Sequence, residues 1–296
     1  MFLPSSRRRP AAARFLFGTA LASLTACSPS EGRTVTTHAD GESTPARSGP
    51  PLDVPSPRIE VSSTPYVAEA VTGGGTIAGT VQLDGAAPAD SVVPAPEDLT
   101  RVCGATVAAG SVVTKGPLVA GVVVWLEGAR RGKALPEVRR HEVAIDRCRL
   151  VPRAQAVPAG GTLHVHSLDR LHALVRFVRW PGGDTVSTIT TNDEGEVVPD
   201  DHALDRVGLL EVRGAQPPWM RAWVLVFDHP YATTTDAAGA FTLGDVPPGS
   251  YRLVAWHERF GRVEQPVTVT AGQGVTAVLH LGASQQPPNA DTAQRR

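Results

Sequence analysis

The groups with the most chemistry to offer in this 296-residue chain are three cysteines, Cys27, Cys103 and Cys148, and three histidines, His164, His166 and His172. His164 and His166 are two apart in an alternating stretch, so on a strand both face one side, and His172 follows on the next loop. Three imidazoles, with the thioether of Met220, could bind Zn(II) or Cu(II). The competing reading is a pair of exposed or half-covered strand histidines, because His-x-His alone has low specificity. Asp169 lies in the same loop and is expected to brace it through backbone hydrogen bonds rather than to ligate. The chain has no Gly-x-Ser-x-Gly elbow, no His-Glu-x-x-His, no phosphate loop and no dinucleotide glycine pattern, so nothing in it points to an enzyme.

The roles of the thiols depend on compartment. Residues 15–26 form an apolar run of 12 behind Arg7, Arg8, Arg9 and Arg14. That is the layout of a secretory leader, whereas a helix crossing a bilayer needs about 20 residues. The end of the run, Leu24-Thr25-Ala26-Cys27, resembles the lipobox of bacterial lipoproteins. There the leader is cut before the cysteine, whose thiol becomes lipidated. The resemblance implies anchoring through two or more acyl chains, which hold stably where one is marginal. An ordinary cleaved leader with an incidental cysteine is the alternative. Ser28 stands where an aspartate often signals inner-membrane retention, so the expected anchor is in the outer membrane, facing the periplasm. With Cys27 set aside in an oxidising compartment, Cys103 and Cys148 form an even pair and are disulfide candidates. Two buried free thiols or a thiolate metal ligand are the other readings. A bridge across 45 residues would contribute about 4 kcal/mol in the chain-entropy picture.

The leader holds four of the 28 basic residues and no acidic one, which leaves 24 basic against 29 acidic and a net charge near −5. Nucleic acid is therefore not the expected partner. Aromatics are sparse at 5%, while 29 glycines and 26 prolines suit short strands and many turns. Residues 27–72 are polar, with seven prolines between Pro29 and Pro65 and almost no apolar run. Such a stretch cannot bury enough surface to offset its ordering entropy, so it is expected to be a disordered tether; residues 284–296 read the same way.

Strand signals recur through the remainder. Residues 76–83 run into Asp84-Gly85, a turn pair, and Val122-Val123-Val124-Trp125-Leu126 is a continuous apolar run, as for a strand inside a sandwich. Further strands are expected at 142–145, 162–165, 173–178, 186–190, 209–212, 222–227, 241–243, 251–256, 267–269 and 275–281. No segment has sustained helical periodicity, so the fold class is all-β, with two β-sandwich units.

In residues 235–243 Asp236 and Gly239 flank a tight turn that sets Phe241 and Leu243 on one face. Val246-Pro247-Pro248-Gly249-Ser250-Tyr251 then makes a rigid turn, with positive φ open to Gly249. These residues resemble the carboxypeptidase regulatory-like or transthyretin-like sandwich, which is itself similar to starch-binding-like carbohydrate modules. Residues 76–84 resemble the opening strand of such a module too. The middle of the chain, 101–228, resembles a cupredoxin through Ser167-Leu168-Asp169-Arg170-Leu171-His172 and Pro218-Trp219-Met220. The expected units are a leader at 1–26, a tether at 27–72, a cupredoxin-like sandwich at 73–228 that includes an opening strand, a carboxypeptidase regulatory-like sandwich at 229–283, and a tail.

The cupredoxin resemblance implies a blue-copper centre, which needs two imidazoles, one thiolate and a long axial methionine. Relatives combining these two domains carry a Cys-x-x-His-Pro-Trp-Met pattern. Here Gly214 stands at the thiolate position and Pro217 at the second histidine, leaving only His172 and Met220. Trp256-His257-Glu258 looks like a recurrent feature of such tandem proteins. Trp219, Trp223 and Trp256, beside His257, could offer a sugar or partner contact, against the reading that they pack the core and the junction between domains. The expectation is a non-enzymatic, lipid-anchored envelope protein without a cofactor, its copper site lost, in a structural role or binding an envelope protein or polysaccharide. Copper or zinc binding by the histidine cluster, and carbohydrate binding by the second sandwich, are the alternatives.

Overall fold

A computed structural model describes residues 54–282, apart from 138, 193, 216 and 218. The leader, Cys27 and the tail lie outside the described residues. The described residues are all-β and form four principal sheets. Sheet I carries Ala240–Val246, Gly75–Asp84, Leu118–Val119 and Thr114–Lys115 in that order, with Gly274–Gly282 parallel to Gly75–Asp84. Sheet II runs Ala232–Thr234, Val123–Glu127, Gly249–His257, Gly261–Val269. Sheet III runs Ala154–Pro158, Arg221–Phe227, Gly208–Gly214, Ala173–Trp180, Thr185–Thr191. Sheet IV runs Arg149–Val151, Arg140–Asp146, Thr162–Ser167, Val197–Asp200.

Three apolar cores separate these four sheets, and strand alternation decides which side chain enters which core. From Val123–Glu127, Val124 and Leu126 join the core between sheets I and II, while Val123 and Trp125 join the core between II and III. From Arg221–Phe227, Trp223, Leu225 and Phe227 enter that same central core, while Ala222, Val224 and Val226 face sheet IV. Both strands are thus covered on two sides, which is why they read as unbroken apolar runs. Trp125, Trp223, Phe227 and Trp256 dominate the central core. Each such ring removes about 150–250 Å² from water, on the order of 4–6 kcal/mol before ordering entropy is counted.

This layering divides the chain differently from the expected boundary near 228. Strands Gly75–Asp84, Leu118–Val119 and Val123–Glu127 belong with the C-terminal strands, and the other sandwich takes mainly residues 140–227, with the hairpin Val92–Pro94 and Thr106–Ala108 laid over its core. The physical reason is pairing. Gly75–Asp84 bonds along its whole length to Gly274–Gly282 and also to Ala240–Val246, so the C-terminal strands have no sheet without it. At Gly79 a Cβ would sit 1.9 Å from the Ala277 carbonyl oxygen, so glycine is required for the two strands to approach.

Other expectations are refined. The tether does not extend to 72, because from residue 54 the chain is docked. Val54 is buried, Pro55 O accepts a 2.7 Å bond from Trp256 Nε1, and Val67–Ala68 pairs with Arg131–Gly132. In the turn at 245–249 the positive φ falls on Asp245 (55°) rather than Gly249, where the ladder to Gly75–Asp84 shifts register. Aspartate tolerates that conformation. Cys103 and Cys148 form the disulfide, with Cα atoms 5.3 Å apart, tying the short helix Thr100–Cys103 to sheet IV. Asp169 ties its own loop to the turn carrying Cys148: its carboxylate accepts from the N–H groups of Arg147 (3.0 Å) and Cys148 (2.7 Å), and its carbonyl accepts from Ser167 Oγ (2.9 Å). Among the described residues no helix is long and apolar enough to cross a membrane.

One buried ion pair closes the central core at its rim. Arg153, just before sheet III, grips Glu258, just after Gly249–His257 of sheet II, through Nε to Oε1 (2.6 Å) and Nη2 to Oε2 (3.0 Å). Trp223 Nε1 donates to the same carboxylate, and Arg153 Nη1 donates to the carbonyls of Ala109 (3.2 Å) and Trp219 (3.3 Å). Removing one partner strands a buried charge, which costs about 3–5 kcal/mol. Arg153→Ala is therefore expected to lower the urea-unfolding free energy by that amount; a loss under about 1 kcal/mol would show that the pair does not hold the sheets.

Candidate functional site

The loop joining Gly208–Gly214 to Arg221–Phe227 closes on itself. Gly214 N–H donates to Met220 O (2.9 Å), Met220 N–H donates to Pro217 O (3.1 Å), and Ala215 N–H reaches Leu174 O (2.7 Å). These bonds bring the loop to the start of Ala173–Trp180, one residue from His172. Leu171 and Ala173 point into the core between sheets III and IV, so His172 points away and is exposed. Met220 is fully buried in that core, and neighbouring Trp219 donates from Nε1 to Cys148 O at 2.9 Å.

His164 and His166 alternate with buried Leu163 and Val165 and occupy the outer face of sheet IV, half covered. His166 Nε2 stands 3.3 Å from Glu142 Oε1, outside hydrogen-bonding geometry, and His164 Nδ1 is shielded without a partner. Burial, aided by nearby Arg140, holds the His164 imidazole below its ordinary pKa. His164 and His166 thus share the outer face of sheet IV, while His172 is on an exposed loop end and Met220 is in the core, so the four do not converge. Among the described residues no group of three or more His, Cys, Asp or Glu side chains is placed to hold a metal ion. Gly214 and Pro217, where the cupredoxin resemblance would put a thiolate and an imidazole, bring no side-chain donor to the loop.

Residues 215–282 match the family model of the carboxypeptidase regulatory-like domain. The match begins inside sheet III and omits strands 75–84 and 123–127, on which the C-terminal sandwich depends. No curated protein sequence matches the chain. Among solved structures it is similar to a Cu-containing nitrite reductase from Thermus scotoductus SA-01, with 16% identity over 32% of this chain and a TM-score of 0.27. The chain spans only 24% of that enzyme's length. A purple cupredoxin from Nitrosopumilus maritimus has 13% identity over 29% of this chain and 99% of its own, with a TM-score of 0.25. Auracyanin from Roseiflexus castenholzii has 11% identity over 31% and 99%, with a TM-score of 0.24.

The tryptophans weighed as a contact surface pack inside, as the core reading has it. Trp223 and Trp256 are wholly buried and Trp219 is 9% exposed. Trp180, Trp223 and Trp256 form an edge-to-face series with centroids 6.0 and 6.2 Å apart. His257 is buried, stacked on Phe260 at 4.7 Å, and its Nδ1 accepts from Arg259 N–H. The sugar-stacking reading thus loses these rings, because the central core takes Trp223 and Trp256 and the core between sheets III and IV takes Trp219.

Two features escaped the sequence reading. One is the Arg153–Glu258 pair, whose members are 105 residues apart. The other is a row of arginines on sheet III, Arg176, Arg213 and Arg221, directly opposite one another on three adjacent strands. Each was visible as a charged residue in a strand, but only register places them side by side.

Burial holds the His257 imidazole down to about 3, helped by Arg153 and Arg259, and pushes His229 down to about 4. Both are neutral in the folded protein, while the unfolded chain titrates near 6.5. Their contribution is complete above about pH 6.5 and is lost as pH falls toward 4 and 3, by up to about 1.4 kcal/mol per pH unit for each. Urea unfolding at pH 7.5 and 5 is expected to reveal a loss of about 2–4 kcal/mol; equal stabilities would contradict neutral burial of both rings.

Proposed function

We propose that this chain is an exported, lipid-anchored envelope protein without enzymatic activity, serving as a rigid scaffold that binds a partner. The observation carrying this reading is the copper loop itself. Gly214 and Pro217 have no donors, and the loop's remaining sulfur, on Met220, is packed into apolar core. A metal centre needs convergent ligands with an open path, whereas these residues fill space. Buried tryptophans, a disulfide and the Arg153–Glu258 pair all favour rigidity over motion. Anchoring is supported by Leu24-Thr25-Ala26-Cys27 and the basic residues before it.

Isothermal titration of the purified protein with Cu(II), Cu(I) and Zn(II), paired with visible spectra, tests the scaffold. No stoichiometric binding is expected. A one-to-one site, with or without an intense thiolate band, would overturn the reading. Anchoring is tested separately: Cys27→Ser is expected to move the protein from the membrane to the soluble fraction, and unchanged partitioning would remove the lipid anchor from the proposal.

A further inference from the structure

Gly274–Gly282 is an edge of sheet I. It pairs along its 9 residues with Gly75–Asp84, and among the described residues no other strand pairs with it. The strand is firmly seated, because Ala277, Leu279 and Leu281 are buried in the core between sheets I and II. Thr76 N–H donates to Gln273 O, so in this parallel ladder the odd-numbered residues 273–281 turn their backbone groups toward Gly75–Asp84. The even-numbered Thr276, Val278 and His280 therefore direct both N–H and C=O away from the sheet, and their side chains are exposed on its outer face. An open edge of this kind is a template for another strand, and a proline, a charge or a bulge ordinarily blunts it. The other described edges of comparable length are blunted in these ways. Gly261–Val269 carries Arg262, Glu264 and Pro266, Ala154–Pro158 ends in proline, and the pairings of Ala240–Val246 and Thr185–Thr191 shift register. Gly274–Gly282 has no proline, lysine, arginine, aspartate or glutamate and no register shift.

We infer that this edge joins a second copy of the chain, the two strands running antiparallel about a two-fold axis at Val278. The inference rests on the scaffold reading and names its partner. A two-fold interface must be self-complementary, and this strand is. With Val278 opposite its own image, Thr276 of each copy lies opposite His280 of the other, and Gly274 opposite Gly282. These are the residues whose N–H and C=O point outward, so each opposed pair exchanges both main-chain bonds. Val278, 39% exposed, meets a β-branched counterpart, a favourable cross-strand pair. No carboxylate, lysine or arginine on the strand is set against its image, and Asp84 at the end of the neighbouring strand is taken up by His280 Nδ1 at 2.9 Å. Ala78, Thr80 and Gln82 of that strand, in register with Thr276, Val278 and His280, are uncharged too. Sheet I then runs from one copy into the other, and the exposed backbone groups of both edges are satisfied at once.

Sedimentation velocity of the purified chain carrying Cys27→Ser, so that no lipid brings copies together, reads the association. A reversible monomer–dimer equilibrium is expected. Val278→Lys, which opposes two ammonium groups at the axis, should weaken it about tenfold. Crosslinking in the same background reads the register, with oxidised glutathione as the electron acceptor. Opposed Cα atoms of an antiparallel bonded pair are about 5.5 Å apart, within disulfide range, so Val278→Cys should yield a covalent dimer. Thr276→Cys should not, because its image lies four residues along the partner strand, about 13 Å away. Both positions are exposed, and unfolding midpoints establish that the variants fold. A monomer at every concentration, a dimer that Val278→Lys leaves unchanged, or equal crosslinking at 276 and 278 would overturn the assignment. Copper titration and membrane partitioning of Val278→Lys with Cys27 retained are expected to match the unaltered protein, so failure here is distinguishable from failure of the scaffold reading.

Discussion

Two strands covered on both faces, Val123–Glu127 and Arg221–Phe227, are the constraint on which the rest of the structure depends. Each is a central strand of its own sheet, and their facing side chains, Val123 and Trp125 against Trp223, Leu225 and Phe227, are the centre of the middle core. A sandwich normally presents its outer faces to water. Here one outer face of each sandwich is apolar, so neither can be exposed without leaving Trp125 or Trp223 in water. The two sandwiches consequently fold as a continuous stack, with the Arg153–Glu258 pair satisfying the polar groups at its rim.

That constraint explains the fate of the residues first suspected of chemistry. Trp256-His257-Glu258 is divided among three structural tasks: Trp256 fills the core and bonds Pro55, His257 stacks on Phe260, and Glu258 receives Arg153 and Trp223. Met220 and Trp219 brace the loop below them, next to the disulfide-bonded Cys148. Burial is a stable use for the Met220 thioether, because it loses little by desolvation.

Much of the architecture was legible. Alternation and a closing turn pair marked strand 76–83, and a continuous apolar stretch marked 122–126, because burial on one or two faces is written directly into residue order. Turn chemistry at Asp236 and Gly239 was also readable: Asp236 Oδ1 accepts from Ala238 and Ala240 N–H, and Gly239 has φ +68°. Strands of two to five residues, such as Leu118–Val119, Arg149–Val151 and the Pro-ended Ala154–Pro158, carry too few positions for a period to emerge. Of the candidate site, the missing donors at 214 and 217 were plain from residue identity. The non-convergence of His164, His166, His172 and Met220 was not, since each histidine could face either way until its strand had neighbours.

The sequence by itself determined the all-β class, the pairing partners available to the cysteines and the absence of a thiolate at 214, all of which follow from residue type and local period. Only the tertiary structure decided which strands share a sheet, that 75–84 belongs beside 274–282, that the tryptophans are core, and that Arg176, Arg213 and Arg221 stand in a row. The reason is that strand pairing is non-local. Register between segments tens to nearly two hundred residues apart is set by the burial of whole faces at once, and no window of the chain contains both partners.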